Sequence, residues 1–212
     1  MPDHYKTDLL DLRRMDCMDL IREFPDKHFD LAIVDPPYGI GDALVAGGTW
    51  SVKYQKKGAA WDVKPSREYF NELFRVSKDW IIFGGNYFTE HIPASRCFFV
   101  WHKPYMAGMS TMSNCELALT SFDRNAICHS VNRESVDRIH VCQKPTSLYK
   151  RVLTEFAQPG QHILDTHLGS GSIAIACHYF GAHLTGSELD QDYFNAMCER
   201  IQRETRQTTL DL

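Results

Sequence analysis

Apolar and polar positions along the chain fall into two recurring patterns. Short apolar, β-branched and aromatic runs predict strands at about 9–13 (LLDLR), 30–34 (DLAIV), 80–84 (WIIFG), 97–101 (CFFVW), 116–120 (ELALT), 162–165 (HILD) and 183–187 (HLTGS). Between them, apolar residues at helical spacing predict helices over about 17–23, 66–77, 146–157, 172–180 and 190–204. Pro145 suits a first helical turn and Asp190 an N-cap. This alternation predicts an α/β fold. Two stretches break the rhythm. Residues 41–62 are rich in Gly and Ala, and residues 103–143 hold one clear strand amid Pro, Gly, Met, Ser and Asn. Loops of that length in a compact domain are usually functional or disordered, so both are candidates for substrate recognition beside the plainer reading of variable surface.

Composition narrows the class. At 212 residues, with 43% hydrophobic and 24% charged positions, the expectation is one soluble domain, 1–212, with a core large enough to need no staples. No apolar run is long enough to span a bilayer, and the first residues carry no secretory pattern. Seven cysteines, scattered and without C-x-x-C, point to reduced thiols and a cytoplasmic protein rather than a disulfide framework or zinc ribbon. The net charge of −4 means that any nucleic-acid binding must rest on locally grouped cations. Ten histidines raise the question of metal, but none has ligand spacing, so no metal is expected. His178 and His183 read as surface or packing residues, Cys177 and Cys198 as core.

Two motifs carry chemistry. The first is Asp35-Pro36-Pro37-Tyr38, directly after the apolar run LAIV. Two prolines end the strand and stiffen the loop after it, presenting a carboxylate, a carbonyl and an aromatic ring at a strand's C-terminal end. Asp35 and the Pro36 carbonyl could accept the two hydrogens of an exocyclic amine while Tyr38 stacks on its ring; an ordinary turn is the equal alternative. The second motif is Asp165-Thr166-His167-Leu168-Gly169-Ser170-Gly171-Ser172, between the strand HILD and an apolar helix. Glycines there let the backbone approach a ligand, and the next strand ends at Glu188, a position that typically binds ribose hydroxyls. The spacing is neither G-x-G-x-x-G nor a Walker loop, which favours a nucleoside without phosphates such as S-adenosylmethionine.

Together these motifs resemble the S-adenosylmethionine-dependent amino-methyltransferases of DNA. The order, D-P-P-Y first and the Gly-rich turn last, looks like the permuted β group of that family. Met15-Asp16-Cys17, Tyr69–Val76, Trp101-His102-Lys103-Pro104 and Val141–Leu148 (VCQKPTSL) resemble further segments of the same group. The resemblance departs at His167 and Leu168, where the family usually has an aromatic before the first glycine, and in the short recognition loops.

The resemblance implies a Rossmann-like, doubly wound, mostly parallel seven-stranded sheet with helices on both faces. It implies transfer of a methyl group to adenine N6 in DNA, with Asp35, Pro36, Pro37 and Tyr38 catalytic and the base flipped out of the duplex. Asp favours N6 over cytosine N4, whose enzymes more often begin the motif with Ser. Around the cofactor it places Asp16, Cys17, Asp35, Gln143, Lys144, Pro145, Thr146, Asp165, His167, Leu168, Gly169, Ser170, Gly171, Ser172, Glu188 and Leu189. Taken singly, Glu188 is a solvated loop acid and Asp16 a helix N-cap. Lys53, Lys56, Lys57, Arg124, Arg133 and Arg138 are the candidate phosphate contacts, each also an ordinary surface charge. Trp50, Tyr54 and Trp61 could engage the duplex or the core, and Gly84-Gly85-Asn86 reads as a tight turn or as pocket lining. DNA is the expected partner, with a homodimer or partner subunit compensating for thin recognition loops. The rival functions are methylation of cytosine N4, RNA or a glutamine amide, and a non-catalytic cofactor- or DNA-binding regulatory module.

Overall fold

The computed structural model describes residues 3–40, 62–104, 113–132, 138–140 and 142–206. Among these, nine strands form one sheet: β1 (His4–Lys6), β2 (Leu10–Arg13), β3 (Phe29–Val34), β4 (Ser77–Phe83), β5 (Phe98–His102), β6 (Cys115–Thr120), β7 (Ile127–Ser130), β8 (His162–Asp165) and β9 (His183–Ser187). The helices are α1 (Cys17–Arg22), α2 (Arg67–Val76), α3 (Thr146–Phe156), α4 (Ser172–Phe180) and α5 (Gln191–Thr205). The expected α/β class is present, and all seven expected strands and five helices occur within a few residues of their expected limits.

The sheet order is β1-β2-β9-β8-β3-β4-β6-β5-β7. Strands β2, β9, β8, β3 and β4 run parallel, whereas β6 is antiparallel to both β4 and β5. The count is nine rather than the expected seven because β1 and β7 have no counterpart among the apolar runs. Both are short strands at the sheet's edges with alternating, half-exposed side chains. With β6 and β7 inside it, the stretch 103–143 is partly sheet.

The central strands read as near-continuous apolar runs because both faces are covered. Leu31, Ile33, Ile81 and Phe83 point into one core with α3, α4 and α5, while Ala32, Val34, Trp80 and Ile82 point into the other with α1 and α2. Helix α4 is buried from Ser172 through Cys177, since it packs against α3 and α5 as well as the sheet. Helix α2 buries Tyr69, Phe70, Leu73 and Val76, one stripe at helical spacing. Asp190 caps α5 as expected, its side chain accepting from the N–H groups of Asp192 and Tyr193. Pro145 stands one residue before α3, at its N-cap with extended geometry. Among the described residues no helix is long and apolar enough to cross a membrane.

Candidate active site

Four neighbouring parallel strands, in the spatial order β2, β9, β8 and β3, end on the same edge of the sheet. Each of them delivers an acid or the glycine turn to that edge: Asp16 after β2, Glu188 after β9, Asp165–Gly171 from the end of β8, and Asp35 after β3. Residues scattered over more than 170 positions are therefore side by side, at the edge where open α/β sheets bind ligands.

Asp35 is the centre of a charged cluster. Tyr38 Oη donates to Asp35 Oδ1 at 2.7 Å, and Lys144 Nζ donates to Asp35 Oδ2. Lys144 also lies 3.5 Å from Glu116 Oε2, and Lys103 Nζ donates to Glu116 Oε1 at 2.9 Å. Burial would raise the Glu116 carboxyl, but the ammonium groups of Lys144 and Lys103 hold it below its usual range. Burial would lower Lys144, yet Asp35 and Glu116 outweigh it and keep the ammonium charged. Lys144 further sits 4.8 Å from the centre of the Phe83 ring.

The Tyr38 ring is held from two sides. Tyr87, half exposed, stacks on it at 4.9 Å and 16° between planes. Gly84, at φ +63°, lies against it so closely that a Cβ there would stand 2.2 Å from Tyr38 Cε1. The Gly84-Gly85-Asn86 segment is thus both a tight turn and a wall of the site. Burial and the Asp35 charge raise the Tyr38 phenol well above its ordinary value, so it remains a donor. Beyond Tyr38, the Gly39 N–H donates to the buried Asp62 carboxylate at 2.9 Å.

The glycine turn is anchored from beneath. Gly169 and Gly171 have φ of +51° and +71°, and a Cβ on Gly171 would meet Met197 at 2.5 Å. Glu188 accepts from the Gly169 N–H and from the Asp190 N–H, both at 2.9 Å, and burial raises its carboxyl. Asp165 accepts from the His167 N–H at 3.0 Å; burial, with the charges of Asp35 and Glu188, pushes it up to about 8. His167 and His140 are each lowered to about 4 by burial, and so are neutral. Tyr69 Oη and Thr166 Oγ1 are hydrogen-bonded at 2.7 Å, joining α2 to the turn.

Several expected cofactor residues hold the loop itself. Arg200, buried on α5, donates to Ser170 O, Ser172 Oγ and Thr146 Oγ1 at 3.0, 2.8 and 3.1 Å. Ser172 Oγ donates to Lys144 O, which ties the glycine turn to the 143–146 segment. Gln143 Oε1 accepts from the Ile139 N–H, and Pro145 is buried beside it. Leu168 is a core side chain, 4% exposed, while Leu189 is 64% exposed. Asp16 is the exposed N-cap of α1, accepting from the Met18 N–H, and burial raises the Cys17 thiol to about 11.

Of the candidate phosphate contacts, Arg124 pairs with Glu155 and lies 5.1 Å from the Phe156 ring centre. Arg138 lies near enough to His140 for its charge to help keep that imidazole neutral. Lys53, Lys56, Lys57 and Arg133, with Trp50, Tyr54 and Trp61, lie outside the described residues. Sequence reasoning did not single out Glu116, Arg200 or Tyr87. The available signals were one acid in the apolar strand ELALT and one Arg seven positions after Tyr193 on the apolar face of α5.

The family described as DNA methylase matches residues 95–199, from before β5 through most of α5. A curated methylase, the type II methyltransferase M1.MboII of Moraxella bovis, is 31% identical over 65 residues, 31% of this chain. That match spans about a quarter of the relative's length, 25%. Among solved structures, the fold is shared with the M1.HpyAVI–SAM complex at TM-score 0.65 and 15% identity, over 91% of this chain and 99% of that one. It is shared also with PvuII DNA methyltransferase, a cytosine-N4-specific enzyme, at TM-score 0.63 and 11% identity, over 95% and 93%.

Proposed function

We propose that this protein transfers a methyl group from S-adenosylmethionine to the exocyclic amine of a DNA base, adenine N6 being the preferred target. The observation that carries it is the Asp35–Tyr38 pair, aligned along one sheet edge with the glycine turn, Glu188 and Asp16. The residues suit that cofactor: the edge gathers the carboxyl groups of Asp35, Asp165, Glu188 and Asp16, whose oxygens can accept hydrogen bonds from the hydroxyls and amines of a nucleoside, and Asp16 and Glu188 offer no cation for a phosphate. S-adenosylmethionine bound there supplies an electrophilic methyl on a sulfonium. Asp16 and Glu188 would take the adenine and ribose ends, and the 165–172 turn with Gln143–Thr146 the methionine end.

Conjugation makes an aromatic amine a poor nucleophile. Asp35 and the Pro36 carbonyl accept its two hydrogens and turn its lone pair toward the methyl, a gain from orientation and electrostatics. As the nitrogen gains its methyl it becomes cationic, which the Asp35 carboxylate stabilises, and one N–H proton is then lost. Tyr38 holds Asp35, and the flipped base stacks on its ring by taking the place of the half-exposed Tyr87. Lys53, Lys56, Lys57, Arg124, Arg133 and Arg138 are the proposed phosphate contacts.

Incubation with labelled S-adenosylmethionine and mixed-sequence duplex DNA, followed by nucleoside mass spectrometry, is expected to give N6-methyladenine that Asp35→Ala abolishes. N4-methylcytosine, the second reading that the PvuII likeness favours, would keep the mechanism and change the base. Cofactor binding without a methylated nucleoside would replace the enzyme with a regulatory module.

A further inference from the structure

Both oxygens of Asp35 already carry donors. Tyr38 Oη holds Oδ1 from a ring pinned between Tyr87 and Gly84, so that bond is built to stay. Lys144 Nζ holds Oδ2 from a flexible stem, and a second carboxylate waits beside it, Glu116 Oε2 at 3.5 Å. Glu116 Oε1 is already bonded to Lys103, which fixes Glu116 in place while leaving Oε2 facing Lys144.

A target amine could share Oδ2 with Lys144 through the oxygen's second lone pair. Methyl transfer, however, makes the amine cationic, and an ammonium on the same oxygen would oppose that charge and neutralise the carboxylate meant to stabilise it. Removing the ammonium altogether would leave Glu116 and Asp35 repelling each other in a buried site when no base is bound.

We propose that Lys144 is a displaceable ammonium, bonded to Asp35 until the target amine takes Oδ2 and shifting to Glu116 when it does. Lys144 and Glu116 are then positioning residues that act through Asp35. The inference rests on the methyl transfer proposed above and adds a step to target binding. It makes Glu116 matter because Lys144 is present: without a charged acceptor, Lys144 stays on Asp35 and competes with the base.

The test is a double-mutant cycle in single-turnover methylation, with Glu116→Gln, Lys144→Met and the double variant, cofactor affinity and melting temperature being measured for each. Glu116→Gln, whose amide oxygen still accepts from Lys103, is expected to lower the methylation rate about tenfold or more with cofactor affinity unchanged. The same change made in Lys144→Met is expected to cost less than about twofold. Glu116→Asp, which keeps the acceptor charge, is expected to recover most of the rate, and guards against a variant that fails to fold. Equal losses from Glu116→Gln in both backgrounds, or loss of cofactor affinity in parallel with rate, would overturn the shift and make Glu116 a structural ion-pair partner. A wild-type protein that methylates no nucleic acid would instead remove the proposed function, and this inference with it.

Discussion

Replacing Gly84 by Ala tests whether Tyr38 is held by close packing. Two effects act at this position. A side chain at φ +63° carries a left-handed penalty of about 1–2 kcal/mol. In addition, the new Cβ would stand 2.2 Å from Tyr38 Cε1 and 2.4 Å from Cζ, so the ring must retreat by about 1.2 Å to regain an ordinary 3.4 Å contact. That retreat breaks the bond to Asp35, a charged hydrogen bond of about 1.5–3 kcal/mol, and the Tyr87 stack of about 0.5–1.5 kcal/mol. The expected destabilisation is about 3–6.5 kcal/mol. Gly160 separates the two effects, because it has φ +83° and a Cβ there would meet nothing within 4 Å. Gly160→Ala is therefore expected to cost only the backbone part, about 1–2 kcal/mol. Urea titrations of both variants measure the difference, and the rate of base methylation should fall in Gly84→Ala alone. Equal destabilisation of the two variants would refute the close-packed account of Tyr38.

Arg200→Lys loses the planar fork that reaches Ser170, Ser172 and Thr146 together; breaking that buried set is expected to cost about 3–5 kcal/mol and to weaken cofactor binding, as read by thermal melts and calorimetry. An Arg200→Lys protein as stable as wild type would show the network to be dispensable. Because burial raises Asp165 to about 8, the folded chain holds a proton there that the unfolded chain releases near 4. Its contribution to stability is thus present in acid, falls as the pH rises through that window and levels off above it; Asp165→Asn should flatten this fall in denaturant midpoints relative to wild type. Tyr38→Phe keeps the ring but not the donor to Asp35, and is expected to reduce the methylation rate while leaving cofactor affinity unchanged; an unaltered rate would remove Tyr38 Oη from the mechanism.

The parts of the fold visible in sequence are those whose signal is local. Strands β3, β4 and β8 are buried on both faces, which forces unbroken apolar runs, and α5 announces itself by Asp190 and an apolar stripe. Strands β1 and β7 owe their existence to a neighbour's free edge, and His4–Lys6 alone contains nothing that demands a strand. The site divides the same way. Asp35, Tyr38, Gly169 and Gly171 stand in compact motifs, and the C-terminal edge of the parallel strands gathers them. Lys144 was visible only as part of a cofactor segment, because its partner Asp35 lies 109 residues away. Arg200 is defined by what it touches across the chain, and Met197-Cys198-Glu199-Arg200 carries none of that information, whereas Gly84-Gly85-Asn86 announces a turn or pocket wall without naming Tyr38 as the ring it holds.

The position of β8 has a consequence for biosynthesis. It is the slat between β3 and β9, and β2 reaches the rest of the sheet only through β9. A ribosome delivers β3 early and β8 some 130 residues later, so at about 5–20 residues per second the inner edge of β3 stays open for roughly 6–26 s. That edge is apolar on both faces and carries no charge between Leu31 and Val34 to discourage a neighbouring nascent chain. Crowding of translating ribosomes on one message, more than the stability of the finished protein, is then the expected limit on soluble yield, and slower initiation at constant elongation should raise it.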